Sequence, residues 1–129
     1  MVHTESFTVS SLSSDRTRWI TLAGEFDLST APCLDEELGS AADCHTNAVV
    51  LDMSALTFMD CAGLRAVFAF TDRVRARGWL LRIVSPPAHI ARVLTLIDAE
   101  REPRSMAPVL KLAGHLPVAG LQPRADAGA

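Results

Sequence analysis

Residues 48–78 read Ala48-Val49-Val50-Leu51-Asp52-Met53-Ser54-Ala55-Leu56-Thr57-Phe58-Met59-Asp60-Cys61-Ala62-Gly63-Leu64-Arg65-Ala66-Val67-Phe68-Ala69-Phe70-Thr71-Asp72-Arg73-Val74-Arg75-Ala76-Arg77-Gly78. The apolar run Ala48 to Leu51 suits a strand covered on both faces, as in a parallel sheet. Asp52 to Met59 reads as a connector. Asp60 then precedes a helix from Cys61 to about Arg77, for which Gly78 is a good C-terminal stop. At ~100° per residue, Leu64, Val67, Phe68, Thr71 and Val74 form its apolar side, and Ala62, Arg65, Ala66, Ala69, Arg73 and Ala76 face away.

Working outward, Phe7–Ser10 and Trp19–Leu22 read as short strands of a hairpin, with Ser11–Asp15 as its polar turn. Gly24-Glu25-Phe26-Asp27 reads as a loop. Ser29 or Thr30 is placed to cap a helix whose first turn holds Pro32 and which ends near Asp43. Downstream, Trp79–Val84 is a strand. Pro86 and Pro87 open a third helix with Ile90, Val93, Leu94 and Ile97 as its apolar face. A short edge strand near Glu100–Arg104 and a last helix over Met106–Ala113 are expected, followed by a tail with Pro117, Gly120, Pro123 and Gly128. Strands alternating with helices give an α/β layer fold. It comprises a small mixed sheet, an N-terminal hairpin plus parallel strands, with helices mainly on one face. The expected organisation is one domain over residues 1–114 and a flexible tail over 115–129.

The chain has 129 residues, 49% of them hydrophobic and 21% charged, enough for one core without metal or disulfide staples. A formal net charge of −3 weighs against nucleic acid as the main partner. No apolar run approaches the ~20 residues of a membrane span, and Met1–Ser10 lacks the pattern of a signal peptide, so a cytoplasmic protein is expected. Cys33, Cys44 and Cys61 form no Cys-x-x-Cys pair, and His3, His45, His89 and His115 are scattered. No metal site and no cofactor are therefore expected, and Gly-rich phosphate loops and nucleophile motifs are absent. Between Trp19 and Asp60 every charged residue is acidic, whereas Cys61–Arg82 holds Arg65, Arg73, Arg75, Arg77 and Arg82 against Asp72. This is either a pair of solvated helix faces placed to suit the helix dipoles or a two-signed surface that orients a protein partner.

Five segments in order carry a family resemblance: Leu22-Ala23-Gly24-Glu25-Phe26-Asp27, Thr30-Ala31-Pro32, Val49-Val50-Leu51-Asp52-Met53-Ser54, Leu56-Thr57-Phe58-Met59-Asp60-Cys61-Ala62-Gly63-Leu64 and Arg75-Ala76-Arg77-Gly78. Together they resemble the STAS domain, in particular its bacterial anti-sigma-factor antagonist branch. The resemblance implies a non-enzymatic switch. Such proteins bind an anti-sigma factor, itself a serine kinase of the histidine-kinase-like ATPase fold, and so free a sigma factor. The kinase phosphorylates a serine in Asp-Ser-Ser-Gly at the start of the second helix, which breaks the complex, and a phosphatase restores it. The partner is then a kinase-type anti-sigma protein, and the chain a monomer or weak homodimer.

This sequence departs from that pattern where the switch operates. Asp60 is followed by Cys61 and Ala62, and neither carries a hydroxyl. Cys61 is then a small semi-buried substitute, the mark of a constitutive binder, or a redox-sensitive thiol. Ser54 and Thr57 offer hydroxyls nearby but precede the helix. An internal disulfide would have to involve Cys61, with Cys33 the better partner, because Cys33 and Cys44 lie ~16 Å apart along one helix. The candidate docking residues are Asp27, Asp60, Cys61, Ala62, Gly63, Arg65, Ala66, Ala69 and Arg73. The alanines would admit a close backbone and the arginines would pair with acids; the alternative is an ordinary solvent face. Two rivals stand beside this reading. One is the small STAS subunit of a lipid-transport ABC complex, whose Asp-Ser-Ala-Gly-Leu-like motif Asp60–Leu64 resembles. The other is an enzyme with Cys61 as nucleophile, which requires a nearby histidine, His89 being the remote candidate.

Overall fold

A computed structural model of the chain describes residues 2–3 and 6–98. The expected edge strand, last helix and tail beyond Asp98 lie outside the described residues. In chain order the elements are β1 (Val2–His3), β2 (Phe7–Ser14), β3 (Thr17–Phe26), α1 (Cys33–Ala42), β4 (Ala48–Met59), α2 (Cys61–Ala76), β5 (Leu80–Val84) and α3 (Ala88–Asp98). The strands form one sheet in the order β1-β2-β3-β4-β5. The first two pairings are antiparallel, and β3–β4 and β4–β5 are parallel. The mixed α/β architecture is the one expected.

The hairpin is longer than its apolar residues suggest. Pairing continues from Phe7↔Gly24 to Ser14↔Thr17. Asp15 and Arg16, both at positive φ (53° and 65°), form the two-residue turn whose twist matches the strands. Ser11–Ser14 is therefore strand and not turn. Its serines lack strand propensity, but the neighbouring backbone supplies the pairing, and Ser11 Oγ accepts from the buried Arg18 guanidinium. The same guanidinium donates to Ser40 Oγ at 2.7 Å, tying the sheet to α1.

A second correction falls on Asp52–Met59. It is not a connector but the second half of a 12-residue strand. The β3–β4 register shifts between Thr21 and Ala23 and again between Gly24 and Glu25, so β4 carries two extra residues. Such bulges break the period of two. The buried residues Leu51, Met53 and Leu56 are accordingly spaced two and then three apart. Gly24–Phe26 is likewise strand, not loop. Gly24 sits at φ +94°, and a Cβ there would lie 2.0 Å from the Ser6 carbonyl oxygen. Only glycine lets these two backbones approach so closely.

Phe7, Val9, Ile20, Leu22, Val49, Leu51 and Ile83 of the sheet pack against Leu34 and Leu38 of α1, Val67, Phe70 and Val74 of α2, and Ile90 and Leu94 of α3 in one buried cluster. On α3 the expected apolar face is only half used. Ile90 and Leu94 are buried, but Val93 is 47% and Ile97 38% exposed.

Candidate functional site

The C-terminal ends of β3 and β4 meet at one end of the molecule, where Phe26 pairs with Met59. The chain leaves β3 through Asp27 and enters α2 through Asp60. The Asp60 N–H donates to the Phe26 carbonyl at 3.3 Å, which brings both acids to this end.

Asp60 caps α2. Its backbone is extended, and its carboxylate accepts from the Gly63 N–H at 2.8 Å, satisfying one of the free donors of the first turn. Asp27 does the corresponding work on the other side. Its Oδ1 accepts from the Ser29 N–H (3.0 Å) and hydroxyl (2.7 Å), and from Thr30, whose hydroxyl oxygen in turn accepts from the Asp27 N–H. The Ser29 hydroxyl foremost among these bonds holds the Asp27 carboxyl below the usual carboxylate value, so it is a carboxylate at neutral pH. This arrangement corrects one expectation: neither Ser29 nor Thr30 caps α1. Pro32 occupies the cap position without a side-chain bond, and Asp27 organises the turns that lead up to it.

Cys61, the first residue of α2, is exposed. Gly63, two residues on, is buried instead of partner-facing. A Cβ on it would lie 2.4 Å from the Phe26 carbonyl oxygen and 2.9 Å from the Phe26 ring. Gly63 is what lets the helix start against the end of β3. The helix repeat then divides the remaining candidates. At ~100° per residue, Cys61 and Leu64 share one flank, Ala62, Ala66 and Arg73 the other, and Arg65 and Ala69 the outer crest. Contacts match this division. Arg73 forms an ion pair with Asp35 of α1, and Ala66 packs against the core. Arg73 and Ala66 are thus engaged within the fold, whereas Cys61 and Arg65 are exposed.

On the Cys61 flank lies a feature the sequence reading missed. A groove of about 240 Å³ is lined by Phe58 and Met59 of β4, Leu64 of α2, and His89, Ile90 and Val93 of α3. Phe58 is 49% exposed and Leu96, further along α3, 60%. The signal was present in the apolar face of α3, which is too wide for burial on one side. Assigning all of it to the core concealed the groove.

All three cysteines are free: of the two outcomes the sequence left open, a disulfide through Cys61 or none, the structure has none. Burial foremost, with Glu37 and Glu36 adding to it, pushes the Cys33 thiol up to about 12, so it stays protonated and inert. Cys44 and Cys61 are exposed. A disulfide reagent at pH 8 is therefore expected to titrate two thiols quickly in the native protein and the third only after unfolding. Rapid labelling of all three would contradict the burial of Cys33. His89 Nε2 lies 3.4 Å from the Thr57 carbonyl, and no hydrogen bond joins it to Cys61 among the described residues. Among the described residues, too, no cluster of His, Cys, Asp and Glu could hold a metal ion, and no helix is long and apolar enough to cross a membrane.

Comparison with known proteins agrees with this geometry. The anti-sigma-F factor antagonist RsfB of Mycobacterium tuberculosis is 30% identical over 70 residues. That match covers 54% of this chain, and the chain spans 57% of the length of that relative. An anti-sigma factor antagonist from Mycobacterium paratuberculosis superposes with a TM-score of 0.57 at 22% identity, covering 84% of this chain and 98% of the other. The Bacillus cell fate determinant SpoIIAA in its phosphorylated form gives 0.58 at 18% identity, covering 76% and 86%. At these identities the structures speak for the fold. The family model described as the STAS domain matches residues 9–113, most of the chain, and the protein belongs to the STAS domain family.

Proposed function

We propose that this chain is an anti-sigma-factor antagonist that binds a kinase-type anti-sigma factor through the end of the molecule built by Asp27, Asp60 and the first turns of α2, and so releases a sigma factor. It acts by occupancy and catalyses no reaction. The observation that carries the reading is the start of α2, capped by Asp60 and exposed at Cys61, with a thiol and a methyl group at positions 61 and 62. A helix start offers free N–H groups and the positive end of a dipole at a surface, a natural place for a partner to engage and for a phosphate to act. A phosphate there would set about −1.5 to −2 charges beside Asp60 and the Asp27 turn, and close like charges would expel the partner. With no hydroxyl at 61 or 62, that route to dissociation is closed, and the complex persists while ATP is present. The roles of Asp27 and Asp60 are to hold this end in shape, and those of Cys61, Ala62 and Arg65 are to meet the partner.

Isothermal titration of the purified chain into a kinase-type anti-sigma protein of the same organism tests this. Expected is a one-to-one complex whose affinity is the same with ATP after prolonged incubation as at the start. Absence of binding to every such protein of the organism, or decay of the complex with ATP turnover, would overturn the reading.

A further inference from the structure

The groove beside Cys61 has a definite chemistry. Its centre is apolar, with Leu64 on the α2 side and Ile90 and Val93 on the α3 side. The apolar strip continues along α3, because Val93, Leu96 and Ile97 share the flank that His89 begins, and all three are exposed. That is about two turns of helix with large side chains open to water, an unusual cost for a surface with no occupant.

Each of its two helices carries an exposed arginine next in sequence to a lining residue. Arg65 stands on the crest of α2, one residue beyond Leu64, and Arg92 on the crest of α3, one residue before Val93. Both are exposed, and neither has an ion-pair partner among the described residues. Arg73, by contrast, is paired with Asp35. Two acids of this end are engaged locally, Asp60 as the cap of α2 and Asp27 within its own turn, while the exposed Glu25 stands beside Phe58 at the strand end of the groove. In a chain of net charge −3, two arginines flanking an apolar strip form a local reversal of sign.

An apolar strip with an exposed arginine on each of its two helices is complementary to an amphipathic helix with an apolar stripe and acidic flanks. We infer that such a helix, belonging to the protein partner, docks in this groove, with its apolar residues over Leu64 and Val93 and its acids against Arg65 and Arg92. This rests on the proposed function and names the segment of the partner that the site recognises. It also gives Cys61 a place at the edge of the contact, since Cys61 and Leu64 share a flank of α2.

The test uses the full chain and the purified kinase-type anti-sigma protein, with affinity measured by titration at low and high salt. Val93→Asp, on an exposed side chain, should weaken binding about tenfold or more, and Arg65→Glu combined with Arg92→Glu should do likewise. Glu36→Lys on α1 should leave affinity unchanged, and wild-type affinity should fall as salt rises. Thermal melting of each variant separates lost docking from lost folding, and the two groove variants fail independently of one another. Wild-type affinity in both would overturn the groove assignment while leaving the proposed function in place. Loss with Val93→Asp alone would overturn the acidic chemistry of the helix. Failure of the wild-type chain to bind would overturn the proposed function and the inference together.

Discussion

Gly63→Val is expected to lower the free energy of unfolding by about 3 kcal/mol, even though glycine is the poorer helix former by a few tenths of a kcal/mol. The reason is the 2.4 Å separation between a Cβ at this position and the Phe26 carbonyl oxygen. That atom is backbone, and it already accepts the Asp60 N–H. It cannot move aside as the end of a long side chain would. The start of α2 must instead lift off β3, which pulls the Gly63 N–H away from the Asp60 carboxylate and removes the cap. Gly63→Ala, with the same contact but better helix propensity by ~1 kcal/mol, should lose less, about 2 kcal/mol. Urea unfolding with an unchanged slope would measure both. Stability equal to wild type in the valine variant would mean that the helix does not start where it is placed here.

The second large effect is at the residue Gly63 rests on. Phe26→Ala should cost about 3–5 kcal/mol, a substantial part of the 5–15 kcal/mol that stabilises a typical domain. Phe26 is fully buried, its ring lies 5.7 Å from that of Phe7, and it forms the wall against which α2 begins. The removed ring leaves a cavity bounded by β2, β3 and α2, none of which can collapse without moving a paired strand. The melting temperature should drop by roughly 15 °C or more. A drop of only a few degrees would contradict the placement of Phe26 at the junction of the core and the start of α2.

How much of this was legible in the sequence depends on what kind of signal each part sends. The helices were readable because their caps and periods are local: Asp60 and Gly78 bound α2, Pro86 and Pro87 precede α3, and the buried positions 67, 70, 71 and 74 repeat at helical spacing. Phe70 and Gly63, both buried, were left off the apolar side. The second half of β4 was not readable. Two bulges shift its buried residues from a period of two to three, a displacement set by the neighbouring strand and not by β4 itself. The same holds for Ser11–Ser14, whose pairing comes from β3.

The candidate site divides in a similar way. Asp60, Cys61 and Ala62 were readable as the start of α2 because a short motif holds them together in the chain. Gly63 was found for the wrong reason, since its small size serves the Phe26 contact and not a partner. Arg73 was assigned to a docking face because a helix wheel shows which residues avoid the core but not what stands beside them; α1 stands there, and Asp35 takes the charge. The groove was missed because it is assembled from β4, α2 and α3, and no single segment encodes it. Val93 and Ile97 looked like core because an apolar residue on an amphipathic face usually is core.

The most direct test of the account is the mass of the chain after incubation with ATP and a kinase-type anti-sigma protein of its own organism, measured for wild type and for Cys61→Ser. The account predicts that the wild type keeps its mass and that the serine variant gains one phosphate at residue 61, because the proposed function has the kinase engage the end of α2, where only the hydroxyl is lacking. A phosphate on the wild-type chain, or none on the serine variant while it still binds the kinase, would contradict it.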